Sequence, residues 1–312
     1  MYKVFASISS FSENSSIPKQ LCIENNIELI ENKYKKKLNE ENILSMSKDC
    51  HGIIAGTEKI SKKVIEGNDK LKVISRVGIG LDNIDLIAAK KNNVKVKNTP
   101  DIPSPYLAEM TVGVIISMLR KIHVSNLHMH KGNWFRAYGK SITDSVIGVV
   151  GYGRIGQALV KKLESLEPKE IIIHDILKSE VDGSKNINFV SYDDILHNSD
   201  VISFHVPLNS NTKNLLCSSS MAKMKPGSIV VNNSRGGIIN ENDLYDALKD
   251  GHISGAALDV YENEPYNGKL IQLDNCLLTS HIGSMSIECR NEMEIQAVNN
   301  IIRSLNIGSK IS

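Results

Sequence analysis

Three polar residues in the last third of the 312-residue chain could together hold a carboxylate and move a proton. Arg235 follows the apolar run SIVVN and sits against two glycines, in NNSRGGIIN. A guanidinium there offers a planar fork of donors that matches a carboxylate. His281, in LLTSHIGS, follows another apolar run and precedes a glycine and small hydroxyl residues. Imidazole is the side chain that exchanges a proton near neutral pH. Glu264, just before Pro265 in YENEP, closes a third run-and-loop. A carboxylate beside an imidazole fixes its tautomer and stabilises the protonated ring. Each has a plainer reading as a solvated loop charge, but together they are a clamp, a proton carrier and an acid. The other histidines suit packing or solvent: His123, His128 and His130 fall in one long apolar-periodic segment, and His252 follows a helix-ending glycine.

A second constellation points to a dinucleotide. VIGVVGYGRIGQALVKKL places Gly151, Gly153 and Gly156 directly after an apolar strand and at the mouth of a helix. The first glycine allows a tight turn, the second lets backbone approach a pyrophosphate, and the third lets helix and strand pack closely. The first-turn N–H groups of the helix then face the phosphates. Asp175 ends the next apolar run, EIIIHD. Its carboxylate would accept from a ribose and repel a 2′-phosphate, so NAD is expected rather than NADP.

Groups at strand ends need a sheet to align them. Apolar runs at 3–7, 52–56, 71–75 and 94–96, then at 146–150, 170–175, 200–206, 228–232, 253–260 and 276–280, alternate with helix-like stretches such as 154–166 and 241–251. Continuously apolar strands alternating with helices predict parallel sheets covered on both faces. The two series predict two doubly wound domains, with a break at the proline-punctuated VKNTPDIPSPY and a connecting helix or two from Tyr106 to about His130. The closing helix, in SIECRNEMEIQAVNNIIRSL, has no strand after it and is expected to return to the first domain. The expected division is therefore a substrate domain of residues 1–99 and 285–312 and an NAD-binding domain of residues 100–284.

Composition removes other classes. A net charge of +2 and 23% charged residues leave no basic stripe for a nucleic acid, and KYKKK at Lys33–Lys37 reads as a solvated face. No apolar run approaches the ~18 residues of a membrane span, and MYKVFASISSF reads as a first strand, not a leader. Five cysteines without paired spacing suggest neither disulfides nor a metal site, and a reducing cytoplasm is the expected home.

Beyond these readings the chain resembles the D-isomer-specific 2-hydroxyacid dehydrogenases, most closely their phosphoglycerate dehydrogenase-like branch. The resemblance rests on SRVGIGLDNIDLIAAKK, NTPDIPSPYLAEMTVGVIISMLRKI, KGNWFR, GVVGYGRIGQAL, HVPLNSNTKNLL, NNSRGGIINENDLYDALKDGHISGAALDVYENEP and SHIGS, in that order. It implies an α/β fold in which a Rossmann NAD-binding domain is inserted into a flavodoxin-like substrate domain. It implies that Arg235 binds the substrate carboxylate and carbonyl oxygen, that His281 exchanges the proton, and that Glu264 supports it. Arg154, Ile155 and Asp175 would hold the adenosine half of NAD. Val206, Pro207, Thr212, Ser234, Asp259 and Gly283 would line the rest, and the loop of Val77, Gly78, Ile79 and Gly80 would present N–H groups to the substrate. A homodimer through Tyr106 to Tyr138, with Trp134 as anchor, is also implied. The activity implied first is D-3-phosphoglycerate dehydrogenase, with hydroxypyruvate or glyoxylate reduction as the alternative. Glu264 argues against a formate dehydrogenase, and an NAD-sensing corepressor is disfavoured. Two features depart from the branch. GIIAGTEKIS has Ala55, Gly56 and Thr57 where an arginine commonly binds the substrate phosphate, with Lys59 as the nearest cation; and, with the sequence reaching Ser312, an appended regulatory domain is not expected.

Overall fold

The computed structural model describes residues 1–177 and 186–307; the last residues of the expected substrate domain, 308–312, lie outside the described residues. The chain divides into two compact units, Met1–Pro103 with Ser284–Ser312, and Ser104–Gly283.

The first unit holds a parallel sheet of β1 (Tyr2–Ala6), β2 (Ile27–Glu31), β3 (Gly52–Ala55), β4 (Val73–Arg76) and β5 (Lys95–Lys97). The strand order is β2-β1-β3-β4-β5, the flavodoxin-like winding. Phe5, Ile53, Ala55 and Ile74 point into one core with Ile43, Val64, Ile65 and Ala88 of the covering helices. The helix Ile287–Ser304 belongs to this unit and lies over the sheet, its Ile301 methyl within 3.1 Å of where a side chain at Gly52 would begin. β2 was not anticipated: IELIE is an edge strand with only Ile27 buried, so its apolar signal is diluted.

The second unit holds seven parallel strands: β6 (Val146–Val150), β7 (Glu170–His174), β8 (Ile187–Phe189), β9 (Val201–Phe204), β10 (Ser228–Asn232), β11 (Ile253–Leu258) and β12 (Cys276–Leu278). Their order is β12-β11-β10-β9-β6-β7-β8. Alternate residues enter opposite cores. Val146, Val150, Ile202, Phe204, Val230, Ala256 and Leu258 face the helices Tyr192–Asn198 and Glu241–Lys249. Ile147, Val149, Val201, Ile229, Val231 and Ala257 face the helices Pro103–Leu119 and Arg154–Glu164. Burial on both faces is why these strands read as unbroken apolar runs. The expected connecting segment is two helices, Pro103–Leu119 and Ile122–His130, separated at Lys121 with φ of 52°.

Candidate active site

β10, β11 and β12 end at the same edge of the second sheet, and the loops beyond them carry Arg235, Glu264 and His281. Asn232, buried at the end of β10, shapes the first loop. Its Oδ1 accepts from the Ser234 N–H at 3.1 Å and hydroxyl at 2.7 Å, and its Nδ2 donates to the Arg235 carbonyl at 2.9 Å. The half-buried Arg235 guanidinium donates to the Ser234 carbonyl at 2.7 Å. His281 Nδ1 lies 3.0 Å from Glu264 Oε2, and the Tyr261 N–H donates to Glu264 Oε1 at 3.2 Å. The His281 and Glu264 side chains are 37% and 31% exposed, open enough to meet a ligand. Among the described residues His281 Nε2 makes no hydrogen bond, so that nitrogen is open to a bound group.

His281 has φ of 57°, in the left-handed region. A non-glycine residue there costs about 1–3 kcal/mol and persists only where its surroundings impose it. Asp259, 1% exposed, imposes it. Its Oδ1 accepts from the Thr279 hydroxyl at 2.6 Å and the Ile282 N–H at 2.8 Å, and its Oδ2 from the Gly283 N–H at 2.8 Å. A buried carboxylate needs such donors, and these three span the turn that carries the histidine.

The glycine loop leaves β6. A Cβ on Gly156 would lie 2.1 Å from the Gly151 carbonyl, and one on Gly151 (φ of 99°) 2.7 Å from the His205 carbonyl. Both glycines are demanded by the protein itself. Gly153 is not: its φ of −73° suits any residue, and a Cβ there would meet nothing within 4 Å. Gly153 caps the helix Arg154–Glu164 without a side chain, whereas Ser191 and Asn240 cap other helices of this unit. An uncapped helix start beside open space suits a phosphate. Asp175 stands next to it, Oδ2 accepting from the Tyr152 N–H at 2.7 Å and Oδ1 from the Leu177 N–H at 2.8 Å.

Residues 112–283 match the sequence profile described as the D-isomer specific 2-hydroxyacid dehydrogenase, NAD binding domain. The chain is 37% identical over 261 residues to a hydroxypyruvate reductase of Thermotoga maritima, covering 82% of this chain and 84% of that one. The chain belongs to the D-isomer-specific 2-hydroxyacid dehydrogenases. It is also 38% identical over 259 residues to a D-3-phosphoglycerate dehydrogenase of Methanocaldococcus jannaschii, covering 81% of this chain but 49% of that relative. Among solved structures, a glyoxylate reductase from Paecilomyes thermophila superposes with a TM-score of 0.85 at 26% identity, covering 98% of this chain and 96% of that one. This member of the family is accordingly an NAD-dependent dehydrogenase of 2-hydroxy acids, and the open helix start at Gly153 with Asp175 beside it fits that cofactor.

The remaining expected residues fall in several places. Past β9, Val206 is half-buried and Pro207 exposed; the Thr212 hydroxyl donates to the Pro207 carbonyl at 2.6 Å and accepts from the Asn209 N–H at 2.8 Å, closing that loop. Ser234 and Gly283 are buried in the turns already described. Val77, Gly78 and Ile79 belong to the first unit, and the expectation needs correction for the first two. The Val77 N–H donates to the Ala55 carbonyl at 2.9 Å and the Gly78 N–H to the Thr99 hydroxyl at 2.8 Å. Those two groups are spent on the fold, and only the Ile79 and Gly80 N–H groups have no acceptor among the described residues.

Two buried residues of this unit escaped the sequence reading. His205, 9% exposed, pairs Nε2 with the Ser203 hydroxyl at 2.8 Å while Nδ1 has no partner. Burial holds its pKa down to about 4. The signal was present: Ser203 and His205 are alternate polar residues in the otherwise apolar run VISFHV. Tyr261, 7% exposed, lies between the Glu264 and His281 loops.

Proposed function

We propose that this enzyme reduces a short, unphosphorylated 2-keto acid, of the hydroxypyruvate or glyoxylate kind, with NADH. The observation that carries the reading is the His281 Nδ1–Glu264 Oε2 pair at 3.0 Å, which leaves Nε2 for the substrate. NADH, when bound, supplies the hydride to the carbonyl carbon. Arg235 holds the carboxylate and polarises the carbonyl oxygen, His281 gives that oxygen its proton, and Glu264 stabilises the ring while it is charged. Asp175 selects NAD through the adenosine ribose, and Gly153, Arg154 and Ile155 offer backbone to the pyrophosphate. Val206, Pro207, Thr212, Ser234, Asp259 and Gly283 line the rest of the cofactor site.

The unphosphorylated substrate is favoured because the end of β3 and the residues after it are Ala55, Gly56 and Thr57, with no arginine among them. Oxidation of 3-phosphoglycerate, the first expectation from sequence, is kept as the second reading on the strength of the Methanocaldococcus relative; exposed Lys59 would then have to hold the phosphate. A homodimer through the Tyr106–Tyr138 region is supported by Trp134 and Tyr138, which are 81% and 94% exposed. Five free cysteines support a reducing, cytoplasmic home. No helix among the described residues is long and apolar enough to cross a membrane.

Purified protein with NADH should be offered hydroxypyruvate, glyoxylate and phosphohydroxypyruvate, following loss of the reduced cofactor. The proposal expects the unphosphorylated acids to lead in kcat/KM by tenfold or more. A lead for phosphohydroxypyruvate would install the second reading, and tight NADH binding without any turnover would mean a cofactor-sensing protein.

A further inference from the structure

Tyr261 bonds to Glu264 and to Thr279, which opens the turn that carries His281. Its backbone N–H donates to Glu264 Oε1 at 3.2 Å, and the other oxygen of that carboxylate faces His281 Nδ1 at 3.0 Å. Its hydroxyl lies 2.9 Å from both the Leu258 and the Thr279 carbonyls. The Leu258 carbonyl also accepts from the Thr279 N–H at 3.0 Å. For the Thr279 carbonyl, by contrast, the Tyr261 hydroxyl is the donor, and no other reaches it among the described residues. Thr279 is thus held at three points: its N–H on Leu258, its hydroxyl on Asp259 at 2.6 Å, and its carbonyl on Tyr261. His281 follows after Ser280, on the same turn. A closed circuit results, running from the Tyr261 N–H through Glu264, His281 and Thr279 back to the Tyr261 hydroxyl.

We propose that Tyr261 is a positioning residue: one side chain bridges the loop of the acid and the loop of the proton carrier and fixes the distance between them. The inference rests on the proposed roles of His281 and Glu264. Burial pushes the pKa of the Tyr261 hydroxyl up, and the neighbouring Asp259, Tyr266 and Glu241 push it the same way. The group therefore remains a donor across any pH at which the enzyme works. The ring is anchored independently, stacked on Tyr266 with centroids 4.3 Å apart and planes inclined by 19°. The ring and the hydroxyl can thus be separated by experiment.

Tyr261→Phe keeps the stacked ring and deletes only the bridge, so the variant should fold. Its kcat for the keto acid should fall about tenfold, the rate equivalent of the ~1.4 kcal/mol of one hydrogen bond. The KM for NADH should change less than about twofold, because the bridge does not reach the glycine loop. The basic limb of the kcat–pH profile should move to lower pH, since an imidazole further from its carboxylate loses support for the protonated ring. In a Glu264→Gln background the same substitution should add little, because the two act through one contact. Equal effects in both backgrounds, or an unmoved kcat and pH limb with only a lowered Tm, would make Tyr261 a packing residue and overturn the inference. His281→Ala serves as the control. If it leaves turnover intact, the proton-transfer reading falls and takes this inference with it; if it abolishes turnover, the Phe variant decides on Tyr261 alone.

Discussion

Alanine at Gly153 and at Gly156 should have opposite consequences, although the two glycines sit in one loop. At Gly156 the added Cβ would lie 2.1 Å from the Gly151 carbonyl, a backbone atom at the junction of β6 and the helix Arg154–Glu164. Relief requires opening that junction, at about 3 kcal/mol or more. For a unit of this size that lowers Tm by roughly 6–12 °C. At Gly153 the backbone is extended, with φ of −73° and ψ of −165°, and the Cβ meets nothing within 4 Å. Gly153→Ala should therefore leave stability unchanged or raise it by up to about 1 kcal/mol, since alanine has fewer unfolded conformations to lose. Its methyl would stand where the helix start faces a pyrophosphate, so the Kd for NADH should weaken at least tenfold, about 1.4 kcal/mol. Thermal melts and NADH fluorescence titration read the two quantities separately. A Gly153→Ala protein that binds NADH like the parent, or a Gly156→Ala protein that melts like it, would refute the division of labour.

Asp175→Ala should cut the preference for NADH over NADPH at least tenfold, measured as the ratio of the two Kd values; an unchanged ratio would mean the carboxylate does not face the ribose. Asp259→Asn leaves the His281 turn short of one acceptor, costing about 1–3 kcal/mol and lowering kcat together with Tm; a full-speed variant would detach Asp259 from histidine placement. His205 gives the chain a defined response to acid. Its folded pKa, about 4, lies below the ordinary 6.5, so between those values the unfolded chain takes up a proton that the folded one refuses. Stability is complete above pH 6.5 and is lost progressively as pH falls toward 4, by roughly 3 kcal/mol. Urea midpoints at pH 7 and 4.5 should diverge more in the parent than in His205→Gln, and parallel losses would contradict this.

Much of the fold could be read in the chain because both sheets are covered on both faces, leaving unbroken apolar strands such as VIGVV and SIVVN. β2 and β8 escaped because they are edge strands, one half-polar and the other only Ile187–Phe189. The candidate residues Arg235, Glu264 and His281 stood out by their chemistry at strand ends, and the fold brings Glu264 and His281 within 3.0 Å. What holds them was not: nothing local to DVYENEP signals that the Tyr261 hydroxyl reaches Thr279, a contact that exists only once β11 and β12 pair. The Val77 and Gly78 N–H groups misled for the same reason, since their acceptors, Ala55 and Thr99, are brought beside them only by the folded sheet.

His281 is the group proposed to move the proton. The most direct measurement compares His281→Ala with the parent for NADH binding and for single-turnover reduction of hydroxypyruvate. An unchanged Kd for NADH is expected, with a reduction rate lower by about 10²–10⁴. A variant that binds NADH normally and reduces the keto acid at the parental rate would contradict it.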